Sequence, residues 1–131
     1  DNLKDFAIIN EVCEKLNISY ADGAYARQNE IIDIEPDRMP IGIHVFEEYP
    51  FTNKEVELQE GDTLYMFSDG FADQFGGSNG RKLMMKNFKN LLLEISQNPI
   101  ENQKELLNQR FKEWKGDYRQ IDDVLVLGIK I

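Results

Sequence analysis

The amino-acid sequence predicts an α+β domain with a largely antiparallel sheet. Three observations carry this. The first half of the chain reads as short strands broken by prolines and glycines. Two amphipathic helical segments then follow one another with no strand between them. The last eight residues, Val124-Leu125-Val126-Leu127-Gly128-Ile129-Lys130-Ile131, return to almost unbroken aliphatic character. Strands, then paired helices, then a closing core strand is not the alternation that builds a parallel sheet.

Taken in order, residues 6–12 are short and apolar-rich, and residues 16–21 alternate apolar and polar side chains with the period of a half-buried strand. Residues 30–35 form another candidate strand. Pro36, Pro40 and Pro50 interrupt residues 36–53, leaving a loop with at most a short strand over 41–45. Residues 54–58 alternate, Gln59-Glu60-Gly61-Asp62 is turn chemistry, and Thr63-Leu64-Tyr65-Met66-Phe67 follows, so a hairpin is expected. The near-continuous apolar character of 63–67 predicts burial on both faces.

A helix is predicted over about 81–97, with Met84, Phe88, Leu91, Leu92 and Ile95 on one face. A second is predicted over 99–115, with Asn98 as cap, Pro99 at the first helical position and Glu101 reaching back. Leu107, Phe111 and Trp114 share its apolar face, and Gly116 supplies a left-handed stop. The final strand reads as central in a sheet and is expected beside 63–67.

The chain of 131 residues has the length of one domain, and 41% hydrophobic residues suffice for a packed core. Fifteen basic residues against twenty-four acidic ones give a net charge of −9. That balance opposes binding to a nucleic-acid backbone or an anionic membrane surface, both of which need a basic patch. Cys13 is the one cysteine and no Cys/His cluster suits zinc, which points to a reducing, cytoplasmic setting. The chain starts without Met and almost inside an apolar run, as expected of a piece of a longer protein.

Chemistry is expected where strand ends meet. Ser68-Asp69-Gly70 closes one core strand and Ile121-Asp122-Asp123 opens the other. If the two pair antiparallel, Asp69 and Asp122 or Asp123 converge at one rim of the sheet. Close carboxylates repel, and a shared proton or a bound cation relieves them. Oxygen donors without His or Cys suit Mg²⁺ or Mn²⁺, which can activate water and clamp a phosphoryl group. The competing reading is plain: aspartates beside glycine at strand ends are commonly turn formers, and paired aspartates often solubilise a strand start.

The stretch Leu58-Gln59-Glu60-Gly61-Asp62-Thr63-Leu64-Tyr65-Met66-Phe67-Ser68-Asp69-Gly70-Phe71 resembles the PPM (protein phosphatase 2C-like) superfamily, in its bacterial SpoIIE-like branch. Met39-Pro40-Ile41-Gly42, Asp73-Gln74-Phe75-Gly76-Gly77, Trp114-Lys115-Gly116-Asp117 and Gln120-Ile121-Asp122-Asp123-Val124 resemble the same branch in the same order. The resemblance runs from about residue 5 to the end. It implies the C-terminal part of a sandwich of two antiparallel sheets with flanking helices. It also implies a metal-dependent serine/threonine phosphatase with a pair of Mn²⁺ or Mg²⁺ ions. On this resemblance Asp69 and Asp122 are expected at the family's catalytic metal-binding positions, with Asp123 as a supporting metal ligand. The implied partners are a phosphorylated protein substrate and an upstream sensor or regulatory domain in a bacterial signalling protein.

The family's further aspartates, one in an Asp-Gly motif beside Gly-His-Gly, have no match in this chain. His44 sits in Ile41-Gly42-Ile43-His44, a different context, and Asp22-Gly23 falls where relatives carry another turn. The chain is therefore expected to hold about half of the metal shell and to have little activity alone. The alternative is a degenerate or truncated module used for association, its open sheet edges favouring a homodimer. Gly76-Gly77-Ser78-Asn79-Gly80 could cradle a phosphate at a helix start, or simply connect two elements.

Overall fold

A computed structural model describes residues 6–8, 22–34 and 55–131. The expected strands over 16–21 and 41–45, the remainder of 6–12, Cys13 and His44 lie outside the described residues. The elements are β1 (Phe6–Ile8), β2 (Asp22–Arg27), β3 (Glu30–Ile34), β4 (Glu55–Glu57), β5 (Thr63–Phe67), a short helix α1 (Gly70–Asp73), β6 (Phe75–Gly76), β7 (Arg81–Lys82), α2 (Met85–Ser96), α3 (Ile100–Lys115) and β8 (Val126–Lys130).

Every strand pair is antiparallel. The main sheet has the order β3-β2-β5-β8, while β1 pairs with β4 and β6 with β7. The expected pairing of the last strand with 63–67 is present, with Tyr65 opposite Gly128 and Phe67 opposite Val126. All five residues of β5 are buried, as its unbroken apolar run requires.

Residues paired across an antiparallel ladder share a face, so the register sorts the core. Ala24, Ala26, Tyr65, Phe67 and Val126 face the helices and join Phe71, Phe88, Leu92 and Ile95 in one cluster. The small Ala24 and Ala26 let α2 sit close over β2. Phe88 centres this layer, edge-on to Phe67 at 5.0 Å between centroids and stacked with Phe71 at 4.7 Å. Such ring pairs add about 0.5–1.5 kcal/mol each beyond area burial. On the opposite face Ile34, Leu64 and Met66 pack with Leu58, Tyr25 and Val56, the last contributed by β4.

Several expectations are corrected. β4 and β5 are not a hairpin: β4 belongs with β1 in another sheet. The turn between them is instead fixed from afar. The Asp62 carboxylate accepts hydrogen bonds from Arg27 Nη2 at 2.8 Å and from the Gln59 N–H at 2.8 Å. The helix expected over about 81–97 is α2 and starts at Met85, because Arg81 and Lys82 pair with Gly76 and Phe75. Residues 77–80 therefore turn a small hairpin and do not open a helix, which removes the phosphate-cradle reading. Asn98 does not cap α3: Pro99 stands at the cap position, and Asn98 Nδ2 donates back to Ile95 O at 3.2 Å. β8 is the edge strand among the described residues, with Leu127 37% and Ile129 43% exposed, where a central strand was expected.

Candidate metal centre at the sheet rim

β5 and β8 run in opposite directions, so the end of one meets the approach to the other. Ser68 locks this junction. Its N–H donates to Leu125 O at 3.0 Å, its Oγ accepts the Leu125 N–H at 3.1 Å, and its hydroxyl donates to Asp123 O at 3.3 Å. Gly70 completes the contact: a Cβ there would lie 2.1 Å from Asp123 O, far inside van der Waals contact. The glycine of Ser68-Asp69-Gly70 thus permits close approach of two backbones, and the two aspartate-bearing segments abut.

Asp69 caps α1 with its backbone: its carbonyl accepts the Asp73 N–H at 2.9 Å, and its side chain makes no cap hydrogen bond. It is half-buried at the rim. Asp122 is exposed, and its Oδ1 accepts the Asp123 N–H at 2.8 Å, which fixes the side chain against its own turn. Gln120 Nε2 donates to Asp122 O at 2.9 Å and steadies the same loop. Asp123 is exposed, and its carbonyl rather than its carboxylate makes the contact with Ser68 and Gly70. Among the described residues no three His, Cys, Asp or Glu side chains form a group that could hold a metal ion. The backbone junction brings the predicted segments together; it does not by itself complete a cation shell.

Two features at this end escaped sequence reasoning. The first is Ser68, whose hydroxyl staples the junction; its place beside Asp69 was the available signal. The second is β2 itself. Its first residue, Asp22, is buried and pairs across the sheet with Phe67, which sets it at the same rim as Asp69. The Gly- and Ala-rich run from 22 to 27 has weak strand propensity, so periodicity did not reveal it.

Two other motif segments also meet. Gly77 N–H donates to Trp114 O at 3.1 Å, Trp114 Nε1 donates to Gln74 O at 2.8 Å, and Gln74 Nε2 donates to Arg119 O at 2.9 Å. A Cβ on Gly76 would lie 2.0 Å from Trp114 O. The β6–β7 hairpin and the loop leading to Asp122 are therefore anchored on the same end of α3.

A search of curated proteins finds no match. Among solved structures the chain is similar to the SiaA-PP2C domain of Pseudomonas aeruginosa, at 27% sequence identity and a TM-score of 0.76. The match covers 85% of this chain and 43% of that one, so the matched part spans less than half the length of that structure. The fold is accordingly that of a PP2C-type domain, mixed α/β with an antiparallel sheet. The family model for stage II sporulation protein E (SpoIIE) matches residues 6–131, and the chain belongs to that family.

Proposed function

We propose that this chain is the C-terminal part of a PPM-type phosphatase domain that hydrolyses phosphoserine or phosphothreonine in a bacterial, cytoplasmic signalling protein. The observation that supports the reading is the Ser68–Gly70 junction with Asp123–Leu125, which brings together the segments that bear Asp69 and Asp122. Membership of a PP2C-like family supports phosphatase chemistry. Among the described residues no helix is long and apolar enough to cross a membrane.

The donors fit Mn²⁺ or Mg²⁺ in kind, being hard carboxylate oxygens. Asp69 and Asp122 would hold such an ion, with Asp123 in support, and the ion would supply an activated water for attack on phosphorus. The chain's own residues do the positioning: Ser68 and Gly70 fix the separation of the two segments, and Gln120 steadies the second. Near-octahedral ions want more oxygens than Asp69, Asp122 and Asp123 offer, so such an ion would need further ligands.

The test is release of phosphate from a phosphoserine peptide and from p-nitrophenyl phosphate, in Mn²⁺. The 131-residue chain should show little or no turnover, and the longer protein should lose its activity in Asp69→Asn. Robust turnover by the isolated chain that Asp69→Ala abolishes would contradict the half-site reading. A second reading, regulated protein association without catalysis, is favoured by one observation, the exposed apolar side chains of edge strand β8.

A further inference from the structure

Gln74 stands where several parts of the molecule meet. It follows α1 directly, and α1 follows Asp69. Its backbone serves one set of neighbours: the carbonyl accepts the Leu83 N–H at 3.1 Å and Trp114 Nε1 at 2.8 Å. Its side chain serves another. Nε2 donates to Phe75 O and to Arg119 O, both at 2.9 Å. The residue is fully buried, and a buried amide is costly unless its hydrogen bonds are made. Here both amide protons go to backbone carbonyls, one of them far along the chain.

Arg119 lies three residues before Asp122. The loop that carries Asp122 is held at its start by Gln74, through Arg119 O. It is held within by Gln120 Nε2, which donates to Asp122 O. It is held at its end by Ser68, which bonds Asp123 O and the Leu125 N–H. Ser68 and Gln74 stand at the two ends of one short segment, made of Asp69 and α1. The segment that bears Asp69 therefore grips the Asp122 loop at both ends.

We propose that Gln74 is a positioning residue for Asp122: its side-chain amide holds the 119–123 loop to the segment that carries Asp69, and so sets where the Asp122 carboxylate stands relative to that of Asp69. The proposal rests on the reading of Asp69 and Asp122 as cation ligands. Groups that orient metal ligands without touching the ion commonly govern its affinity. The Ser68 staple fixes the far end of the loop, and Gln74 fixes the near end, so Asp122 lies between two restraints rather than beyond one.

The variant that isolates this role is Gln74→Met, an apolar side chain of similar length. Gln74 Oε1 has no hydrogen-bond partner among the described residues, so the change removes the two Nε2 bonds and no bond to the oxygen. The backbone carbonyl stays, and with it the bonds from Leu83 and Trp114. A role confined to anchoring the β6–β7 hairpin would disturb Trp114 and leave cation binding alone. The positioning role does the reverse.

The experiment is a titration of Mn²⁺ into the 131-residue chain and into Gln74→Met, read by paramagnetic broadening of backbone amide signals, with Trp114 emission recorded on the same samples. The wild type should show broadening around Asp69 and Asp122 that Asp69→Asn weakens. In Gln74→Met the same broadening should need about three- to tenfold more Mn²⁺, the scale of a lost buried hydrogen bond. The amides of residues 120–123 should exchange faster with solvent, and Trp114 emission should not move. Gln74→Asn keeps an amide that falls one methylene short, and should behave as Gln74→Met does; it serves where the methionine variant does not fold. No broadening at either aspartate in the wild type would overturn the cation reading and this proposal with it. Wild-type broadening that persists unchanged in both variants would overturn the proposal alone. So would a loss of affinity accompanied by a shifted Trp114 emission, which would assign the effect to an undocked hairpin, or the failure of both variants to fold.

Discussion

At the scale of single residues the rim rests on two small side chains. Gly70 has no room for a methyl group against Asp123 O. Gly70→Ala should therefore lower stability by about 1–3 kcal/mol through overpacking, read as a lower urea midpoint, and should loosen the 122–125 segment. Ser68→Ala removes the acceptor for the Leu125 N–H. We expect a loss of about 0.5–1.5 kcal/mol and faster hydrogen exchange at Leu125.

Asp62 is a separate case, because it binds the turn before β5 to β2. The Arg27 hydrogen bond holds its carboxyl below the ordinary value of 3.8, with burial opposing and the Gln59 N–H assisting. A depressed carboxyl stabilises the fold while it is ionised. Its contribution is complete above the unfolded value and is lost as pH falls through the lower folded one. Urea midpoints of the wild type and Asp62→Asn should differ at neutral pH and converge in acid. A difference that persists unchanged in acid would assign the role of Asp62 to packing alone.

At the scale of elements, sequence pattern succeeded where one local signal decides. Phe88, Leu91, Leu92 and Ile95 recur at helical spacing and are buried in α2. The unbroken run of β5 announced a strand covered on both sides. Pattern failed where a distant partner decides. Nothing local in residues 54–67 shows that Asp62 will bond Arg27 and send β4 and β5 into different sheets. Likewise Arg81 and Lys82 continue a helical pattern, yet they pair with Phe75 and Gly76 because the Gly76–Gly77 segment docks on Trp114. The docking is testable. Gly76→Ala should disrupt the β6–β7 hairpin and shift Trp114 fluorescence toward the solvent-exposed wavelength, whereas Gly61→Ala, strained by its φ of 96° but far from Trp114 with no atom within 4 Å, should leave that emission unchanged in the folded protein. Equal spectra for the two variants would contradict the contact.

At the scale of the whole molecule, the end of β5 at Ser68–Gly70 abuts the 123–125 segment before β8, and the proposed cation site is assigned to that junction. The meeting of the Ser68–Gly70 and 123–125 segments was legible in the sequence because two antiparallel neighbours share that end of the sheet. The place of Asp22 was not, because its strand is built from Gly23, Ala24 and Ala26, residues of low strand propensity, of which Ala24 and Ala26 face the helices. The exposure of β8 was also hidden, since an aliphatic run reads as buried whether its covering strand is in the chain or elsewhere.

The central claim is that Asp69 and Asp122 together form one side of a hard-cation centre. Titration of Mn²⁺ into the 131-residue chain, followed by electron paramagnetic resonance, tests it most directly. The account predicts weak binding, with a dissociation constant on the order of millimolar for an incomplete oxygen shell, weakened further by Asp69→Asn and by Asp122→Asn. Titration curves for both variants that superimpose on the wild type would contradict it.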